Sequence, residues 1–190
     1  MKTLRNSLVT LAVFFALVVS TVSVGASPLA ESDQALEHQQ VSKRVRKELV
    51  TLPYYGVFDN LAYEVEGGTV TLHGQVVRPS TRSDAARRVA KIKGVERVVN
   101  NIEVLPLSSF DDRIRLQAYR SIFNTGGLYR YAMGTNPSIH IVVNRGHLTL
   151  EGVVSSRMDK QLAEFAARNV FGVFSVTNNL RAESEERSRG

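Results

Sequence analysis

Residues 61–76, LAYEVEGGTVTLHGQV, decide the fold. Apolar and polar residues alternate on both sides of Gly67-Gly68, which is typical of two half-buried strands joined by a glycine turn. Gly74 interrupts the second strand, and glycine inside a strand marks a bulge or a close backbone approach. The stretch therefore predicts a β-hairpin that buries one face.

The same pattern occurs a second time further along the chain. Residues 61–104 align with residues 139–182 without a gap, and twelve of these 44 positions are identical. Chance would give about two or three identities, so the repeat indicates an internal duplication. The identical pairs are Val65/Val143, Gly68/Gly146, Thr71/Thr149, Leu72/Leu150, Gly74/Gly152, Val76/Val154, Ala85/Ala163, Gly94/Gly172, Val95/Val173, Val98/Val176, Asn100/Asn178 and Asn101/Asn179.

Each hairpin lies between two stretches whose apolar residues have helical spacing. For the second helix of each copy we expect an N-cap at Ser83 or Thr81 and at Ser155 or Ser156, and a glycine at the C′ position. The apolar stripes are Val41, Val45, Leu49 and Leu52 with Ala85, Val89 and Ile92 in the first copy, and Ile114, Ala118 and Ile122 with Ala163, Ala167 and Val170 in the second.

A third strand follows the second helix, with Val95, Val98, Ile102 and Val104 in the first copy. Because a helix connects it to the second strand, it should run parallel to that strand. The fold class is therefore α+β, with two tandem α-β-β-α-β units. Each unit is expected to be a three-stranded sheet packed on two helices.

The start of the chain has the features of a secretory signal peptide. Lys2 and Arg5 precede an apolar run from Leu8 to Val19, and Val24-Gly25-Ala26 offers a cleavage site. The run is shorter than the roughly 20 residues that a membrane-spanning helix needs. The predicted segments are a signal peptide at 1–26, an acidic leader at 27–40, unit 1 at 41–106, a linker at 107–110, unit 2 at 111–182 and a polar tail at 183–190.

The repeated unit resembles the BON domain. The resemblance rests on alternating apolar residues around a glycine turn, then a helix, then the segment from Gly94-Val95 to Asn100-Asn101, and unit 2 repeats this pattern. The layout looks like the dual-BON periplasmic proteins of Gram-negative bacteria, except that the sequence has no cysteine for a lipid anchor. The resemblance implies a protein without enzymatic activity that supports envelope integrity, protects against osmotic stress and contacts phospholipid.

The residues themselves give little support to catalysis. The absence of cysteine excludes disulfides, thiol nucleophiles and cysteine-rich zinc sites. The four histidines do not combine into a metal-ligand spacing, and no phosphate loop or serine-histidine-aspartate motif is present. Paired asparagines beside strands more often bond the backbone than a ligand. We therefore expect no enzyme and no cofactor.

The positive net charge of the chain favours a negatively charged binding partner. The formal net charge is +6 and the sequence pI is about 9.8. Basic residues are concentrated on the helices of unit 1, where Arg87, Arg88 and Lys91 lie on the solvent side of the second helix. One interpretation is an ordinary solvated helix face. The other is a patch that attracts an anionic surface, with about 1 kcal/mol from each basic residue near the membrane.

Unit 2 has five extra residues between its first helix and its hairpin. This segment contains Leu128, Tyr129, Arg130, Tyr131 and Met133 between glycines. Tyrosine and arginine together suit a membrane interface, where phenol rings lie at headgroup depth and guanidinium pairs with phosphate. Because the segment contains no carboxylate to pair with Arg130, we expect an exposed tip with both rings on lipid. The alternative is that the rings complete the core.

The sequence therefore predicts a non-enzymatic periplasmic protein, peripheral to the membrane, that binds anionic phospholipid surfaces. The alternative function is a periplasmic chaperone or adaptor that holds client or envelope proteins. Export argues against a nucleic-acid partner. High salt should weaken lipid binding, whereas client holding should depend on exposed apolar surface.

Cleavage of the signal peptide should give a mature chain that begins at Ser27. N-terminal sequencing of the protein isolated from the cell envelope checks this prediction. Recovery of Met1 would show that the apolar segment is retained.

Overall fold

The structure, a computed structural model, describes residues 28–134 and 136–184, with side chains from residue 36 onward. The predicted signal peptide lies outside the described residues. Within the described part of the chain, every helix is too short or too polar to cross a membrane.

The two units have the same order of elements. Their hairpins, crossover helices and third strands occur where the repeat predicts them. Unit 1 contains α1 (Pro28–Val50), β1 (Asn60–Glu66), β2 (Thr69–Val76), α2 (Pro79–Val89), β3 (Arg97–Asn100) and β4 (Glu103–Val104). Unit 2 contains α3 (Ser109–Phe123), a short 3-10 helix (Leu128–Ala132), β5 (Ile139–Asn144), β6 (His147–Val154), α4 (Arg157–Arg168), β7 (Ser175–Asn178) and β8 (Arg181–Ala182).

The second strand of each unit is the centre of its sheet. β1 pairs with β2 in antiparallel orientation, and β3 and β4 both pair with β2 in parallel. Strands β5 to β8 repeat this arrangement around β6. The expected parallel third strand is confirmed, but it consists of two short pieces, because the ladder is interrupted after the first asparagine of the Asn-Asn pair.

The asparagine at each interruption is bonded to the backbone. The Asn100 side-chain amide donates to the carbonyl of Arg82 on α2, at 3.1 Å, and its oxygen accepts from the backbone N–H of Ile102, at 3.2 Å. Asn178 makes the same two bonds to Lys160 and Leu180. The prediction that the paired asparagines bond backbone is confirmed for the first of each pair, and each of these two ties the crossover helix to the third strand. The Asn179 side chain instead donates to Glu151.

Gly74 and Gly152 lie at the bends of the two central strands. Both have positive φ, at 112° and 120°. A Cβ on Gly74 would overlap the carbonyl oxygen of Asn60, and a Cβ on Gly152 would overlap that of Ser138. The close backbone approach that the sequence predicts is confirmed, and it requires glycine at both positions.

The predicted helix ends are partly wrong. Ser156 caps α4 as expected, since its Oγ accepts from the N–H of Asp159 at 3.1 Å. Neither Ser83 nor Thr81 caps α2, because that helix begins earlier, at Pro79, where the fixed φ of proline suits the first turn. Helix α1 begins at Pro28 and so includes most of the predicted acidic leader.

The helices and the sheet of each unit enclose a separate hydrophobic core. Leu72 and Leu150 occupy equivalent central positions and are fully buried. The core of unit 1 is formed by Val41, Val45, Leu49, Leu52, Val70, Leu72, Val76, Ala85, Val89, Ile92 and Ile102. The core of unit 2 contains the equivalents of these residues except Leu52. It also includes Phe123, Leu128, Tyr131, Ile139, Ile141, Val143, Ala166 and Ala182.

A loop of unit 1 contacts the edge strand of unit 2. The N–H of Ile141 on β5 donates to the carbonyl of Val57 at 2.7 Å, and the Phe58 ring lies edge-on to Tyr119, 6.4 Å between centroids. The Tyr55 and His140 rings lie 5.5 Å apart. Burial raises the pKa of Tyr55 to about 12 and lowers that of His140 below its usual 6.5. Both rings are therefore neutral at pH 7.

Leu72→Asp and Leu150→Asp should each lower the free energy of unfolding by about 3 kcal/mol or more, because a carboxylate is forced between sheet and helices. Thermal and urea melts measure the effect. Leu107→Asp is the matched control, since Leu107 is 96% exposed. Melts that are unchanged for both core variants would contradict the assigned inner face of the sheets.

Candidate functional site

The inserted segment of unit 2 does not form an exposed tip. It folds as the short 3-10 helix, with Leu128 fully buried and Tyr131 only 6% exposed. The expectation that both tyrosine rings are exposed is therefore wrong for Tyr131, and Leu128 also belongs to the core. Tyr129 and Met133 are exposed, at 63% and 66%.

A carboxylate from helix α4 explains why this segment folds inward. The Tyr131 hydroxyl donates to Asp159 Oδ2 at 2.9 Å and accepts from the N–H of Ser155 at 2.8 Å. Arg130 forms an ion pair with the same Asp159 oxygen at 2.8 Å. Arg130 thus has the partner that its own segment lacks. The sequence interpretation missed this partner because Asp159 is distant along the chain.

Asp159 is held as an anion by these neighbours. Burial acts to raise its pKa, but hydrogen bonds from Ser156, Tyr131 and Arg130 outweigh burial and leave the pKa below the usual 3.8. The carboxylate therefore stays charged at neutral pH and fixes the inserted segment to the start of α4.

The basic residues that the sequence predicts on the second helix of unit 1 have different contacts in the structure. Arg87 pairs with Asp84 on the same helix. Arg88 reaches across to α1, where its Nη1 lies 3.6 Å from Glu48 Oε2. Arg88 and Lys91 both line a cleft of about 300 Å³ between α1 and α2. This surface belongs to unit 1, whereas the inserted segment belongs to unit 2.

Unit 2 has, at its surface, two exposed aromatic rings and one half-buried ring that the sequence interpretation did not select. We call this group the aromatic end and define it as Phe110, Phe171 and Phe174. Phe171 is 88% exposed and Phe174 is 70% exposed. The centroids of the Phe110 and Phe174 rings lie 5.9 Å apart. The Phe110 ring also packs next to Gly172, the residue that follows Phe171.

The start of α3 and the turn of the unit 2 hairpin hold the aromatic end in place. Buried Asp111 accepts hydrogen bonds from the N–H groups of Arg145 and Gly146, at 2.9 Å and 2.8 Å. These bonds fix the hairpin turn against α3. Glycine at position 146 leaves room for the Phe110 and Phe174 rings, because a Cβ there would come within 2.7 Å of Phe174.

Arginines lie beside the rings. The guanidinium of Arg113 is 6.0 Å from the centre of the Phe110 ring, and Arg145 is exposed at the hairpin turn. The aromatic end therefore combines exposed apolar rings with positive charge.

Comparison of the two units shows how their surfaces differ. At five exposed positions of unit 1 that carry charge, unit 2 carries a large apolar or aromatic residue, and each of these is itself exposed. The fold is the same in both units, so the α-β-β-α-β fold itself does not require apolar residues at these positions. The pairs are Lys43 with Leu116, Arg46 with Tyr119, Arg87 with Phe165, Lys93 with Phe171, and Glu96 with Phe174.

Metal binding finds no support in the described side chains, because no three of their histidine, aspartate and glutamate groups converge on one point. A broader groove of about 840 Å³ lies between the middle of α1, the Gly67-Gly68 turn and Gly94. Its lining includes both acidic and basic side chains, so it has no marked preference for either sign of charge.

The two units match a known domain family over most of their length. The BON domain matches residues 38–106 and residues 129–184. The chain belongs to the BON domain family. Unit 1 is the first BON domain and unit 2 the second. The second match begins after α3, but the repeat places α3 where α1 lies in the first domain.

Two solved structures with similarity to this BON protein concern one secretion protein. One is CdsD, described as the structural protein of the type III secretion system of Chlamydia trachomatis, C-terminal domain; it has 13% identity and a TM-score of 0.31 over 77% of this chain and 66% of that chain. The other is a structural study of CdsD, with 11% identity and a TM-score of 0.23 over 83% of this chain and 96% of that chain. No curated protein matches the sequence.

Tyr131→Phe should destabilise the second BON domain by about 1–3 kcal/mol, because the N–H of Ser155 loses its acceptor and the buried Asp159 carboxylate loses a donor. Tyr129→Phe in the same segment is the control and should leave the melting temperature unchanged. Chemical denaturation of both variants checks this. Equal stability of the two variants would contradict the structural role of the Tyr131 hydroxyl.

Proposed function

We propose that this BON protein is a non-enzymatic periplasmic envelope protein that binds anionic phospholipid surfaces through the aromatic end of unit 2. The observation that carries the proposal is the exposure of Phe171 and Phe174 on one loop. Clustered exposed phenylalanines are unfavourable in water unless they meet a partner or a membrane. Unit 1 has Lys93 and Glu96 at the same positions, so the fold does not require these rings.

The arginines beside the rings favour a lipid surface. Arg113 and Arg145 lie next to the aromatic end, where inserted phenylalanine rings would bring guanidinium groups to the level of the phosphates. Arginine pairs with phosphate through two parallel hydrogen bonds, and apolar insertion adds to this attraction. A few charges and two or three rings give reversible, salt-sensitive attachment.

The exposed residues of the inserted segment make a secondary contact with the lipid surface. Tyr129 and Met133 retain that role because they are exposed. Leu128 and Tyr131 support the fold from the core, and Arg130 is engaged by Asp159. Arg87, Arg88 and Lys91 of unit 1 contribute long-range attraction to an anionic surface.

Location and physiological role are part of the same proposal. The sequence at 1–26 supports export, and membership of the BON family supports work at the envelope. Attachment to phospholipid from the periplasmic side would place the protein where osmotic stress acts on the membrane.

Phe171→Ser combined with Phe174→Ser should reduce binding to vesicles that contain phosphatidylglycerol by about tenfold or more, since each inserted ring contributes about 1–2 kcal/mol. Flotation of vesicles with and without the anionic lipid measures the change. The melting temperature should stay within a few degrees, because both side chains are exposed.

The matched control is Tyr129→Ser combined with Met133→Ser, which removes two exposed apolar side chains elsewhere on unit 2. It should weaken vesicle binding less than the phenylalanine variant does. Unchanged vesicle binding in the phenylalanine variant would contradict the proposal. If that variant instead lost the ability to hold a denatured client protein, the rings would belong to a chaperone or adaptor.

A further inference from the structure

The cleft between α1 and α2 of unit 1 has an unusual concentration of positive charge. We call it the basic cleft, and its volume is about 300 Å³. Four of its side chains are basic, whereas Glu48 is the one acidic residue among the described residues that line it. The lining residues are Arg44, Glu48, Arg88, Lys91, Ile92 and Lys93.

Weak contacts hold the two arginines at the cleft. Arg44 Nη1 donates to the carbonyl of Lys93 at 3.3 Å. Arg88 Nη1 donates to the carbonyl of Thr51 at 3.5 Å and lies 3.6 Å from Glu48. These distances are at the long end for hydrogen bonds and ion pairs, so both guanidinium groups keep donor capacity for a further acceptor.

Unit 2 shows that the fold does not need these charges. The positions equivalent to Arg44, Glu48, Arg88, Lys91 and Lys93 are all neutral in unit 2. There, α3 and α4 are joined by a hydrogen bond from the Ser121 hydroxyl to the carbonyl of Ala166, at 2.9 Å. The neutral residues are, in the same order, Gln117, Ser121, Ala166, Asn169 and Phe171.

Four cations beside one carboxylate repel one another, and an anion between them removes that repulsion. Arginine offers a planar fork that matches the oxygens of a phosphate, and lysine adds a point charge. Ile92 gives the cleft an apolar component that suits the carbon atoms attached to a phosphate ester.

We propose that the basic cleft is a binding site for a phosphate group. The shared chemistry is that of free phosphate and of a phospholipid headgroup. The site lies in the first BON domain, apart from the aromatic end in the second. It goes beyond the function proposed above, in which Arg88 and Lys91 contribute only long-range attraction, because here they hold a phosphate group directly.

Lys91→Gln combined with Lys93→Gln tests the site while Arg88 keeps its contacts with α1. Both lysine side chains are exposed, so the variant should fold. The control is Arg82→Gln combined with Arg97→Gln, which removes the same charge from two other exposed positions of unit 1. Thermal melts establish that both variants are folded.

The first arm titrates the protein with inorganic phosphate and with pyrophosphate, at constant ionic strength against chloride, and follows backbone amide signals by NMR. Signals of residues 88–93 should shift in the wild type. The apparent affinity should fall about tenfold in the lysine variant and change less than about twofold in the control. Absence of shifts at the cleft, or equal weakening in both variants, would overturn the proposal.

The second arm distinguishes the source of the phosphate group. Vesicles with phosphatidylglycerol or with phosphatidylcholine are floated with the two variants. Selective loss of binding in the lysine variant, together with the NMR result, assigns the site to a lipid headgroup. Loss of phosphate binding with unchanged flotation assigns it to a soluble phosphate compound. The phenylalanine variant should keep phosphate binding, so failure of either proposal is recognised separately.

Discussion

The constraint on which each unit depends is the close passage of a carbonyl over a glycine in the central strand. The Asn60 carbonyl occupies the space that a Cβ of Gly74 would need, and Ser138 has the same relation to Gly152. At this level the central strand changes its parallel partner, from β3 to β4 in unit 1 and from β7 to β8 in unit 2. The last residue of β3, Asn100, and the last residue of β7, Asn178, each donate a hydrogen bond to the crossover helix of their unit and so connect it to the place where the parallel partner changes.

Much of the fold could be predicted because its signals are local and occur twice. Alternation around Gly67-Gly68, glycine at position 74 and the apolar stripes of the helices each depend on residues close in sequence. The start of α2 was missed because Pro79 begins a helix without a side-chain cap. The break in the third strand was missed because the apolar pattern continues through it, while hydrogen bonding does not.

The candidate site was harder to predict, since exposure is set by distant partners. Tyr131 is buried because Asp159 and Ser155 meet its hydroxyl from another part of unit 2, and no local pattern gives that contact. The exposed rings of the aromatic end did have a signal in the sequence. Aligning the two copies places phenylalanine opposite Lys93 and Glu96, and a charged surface position that becomes aromatic indicates a changed role.

The contact of Val57 with Ile141 covers part of an edge strand. Strand β5 is the edge of the unit 2 sheet, and an uncovered edge strand is a template for pairing with other chains. Unit 1 is synthesised first, so its loop can already present the Val57 carbonyl and the Phe58 ring when β5 emerges. Unit 1 thus covers part of the exposed edge of β5, and a fragment that contains unit 2 alone would leave that edge open to pairing with other chains.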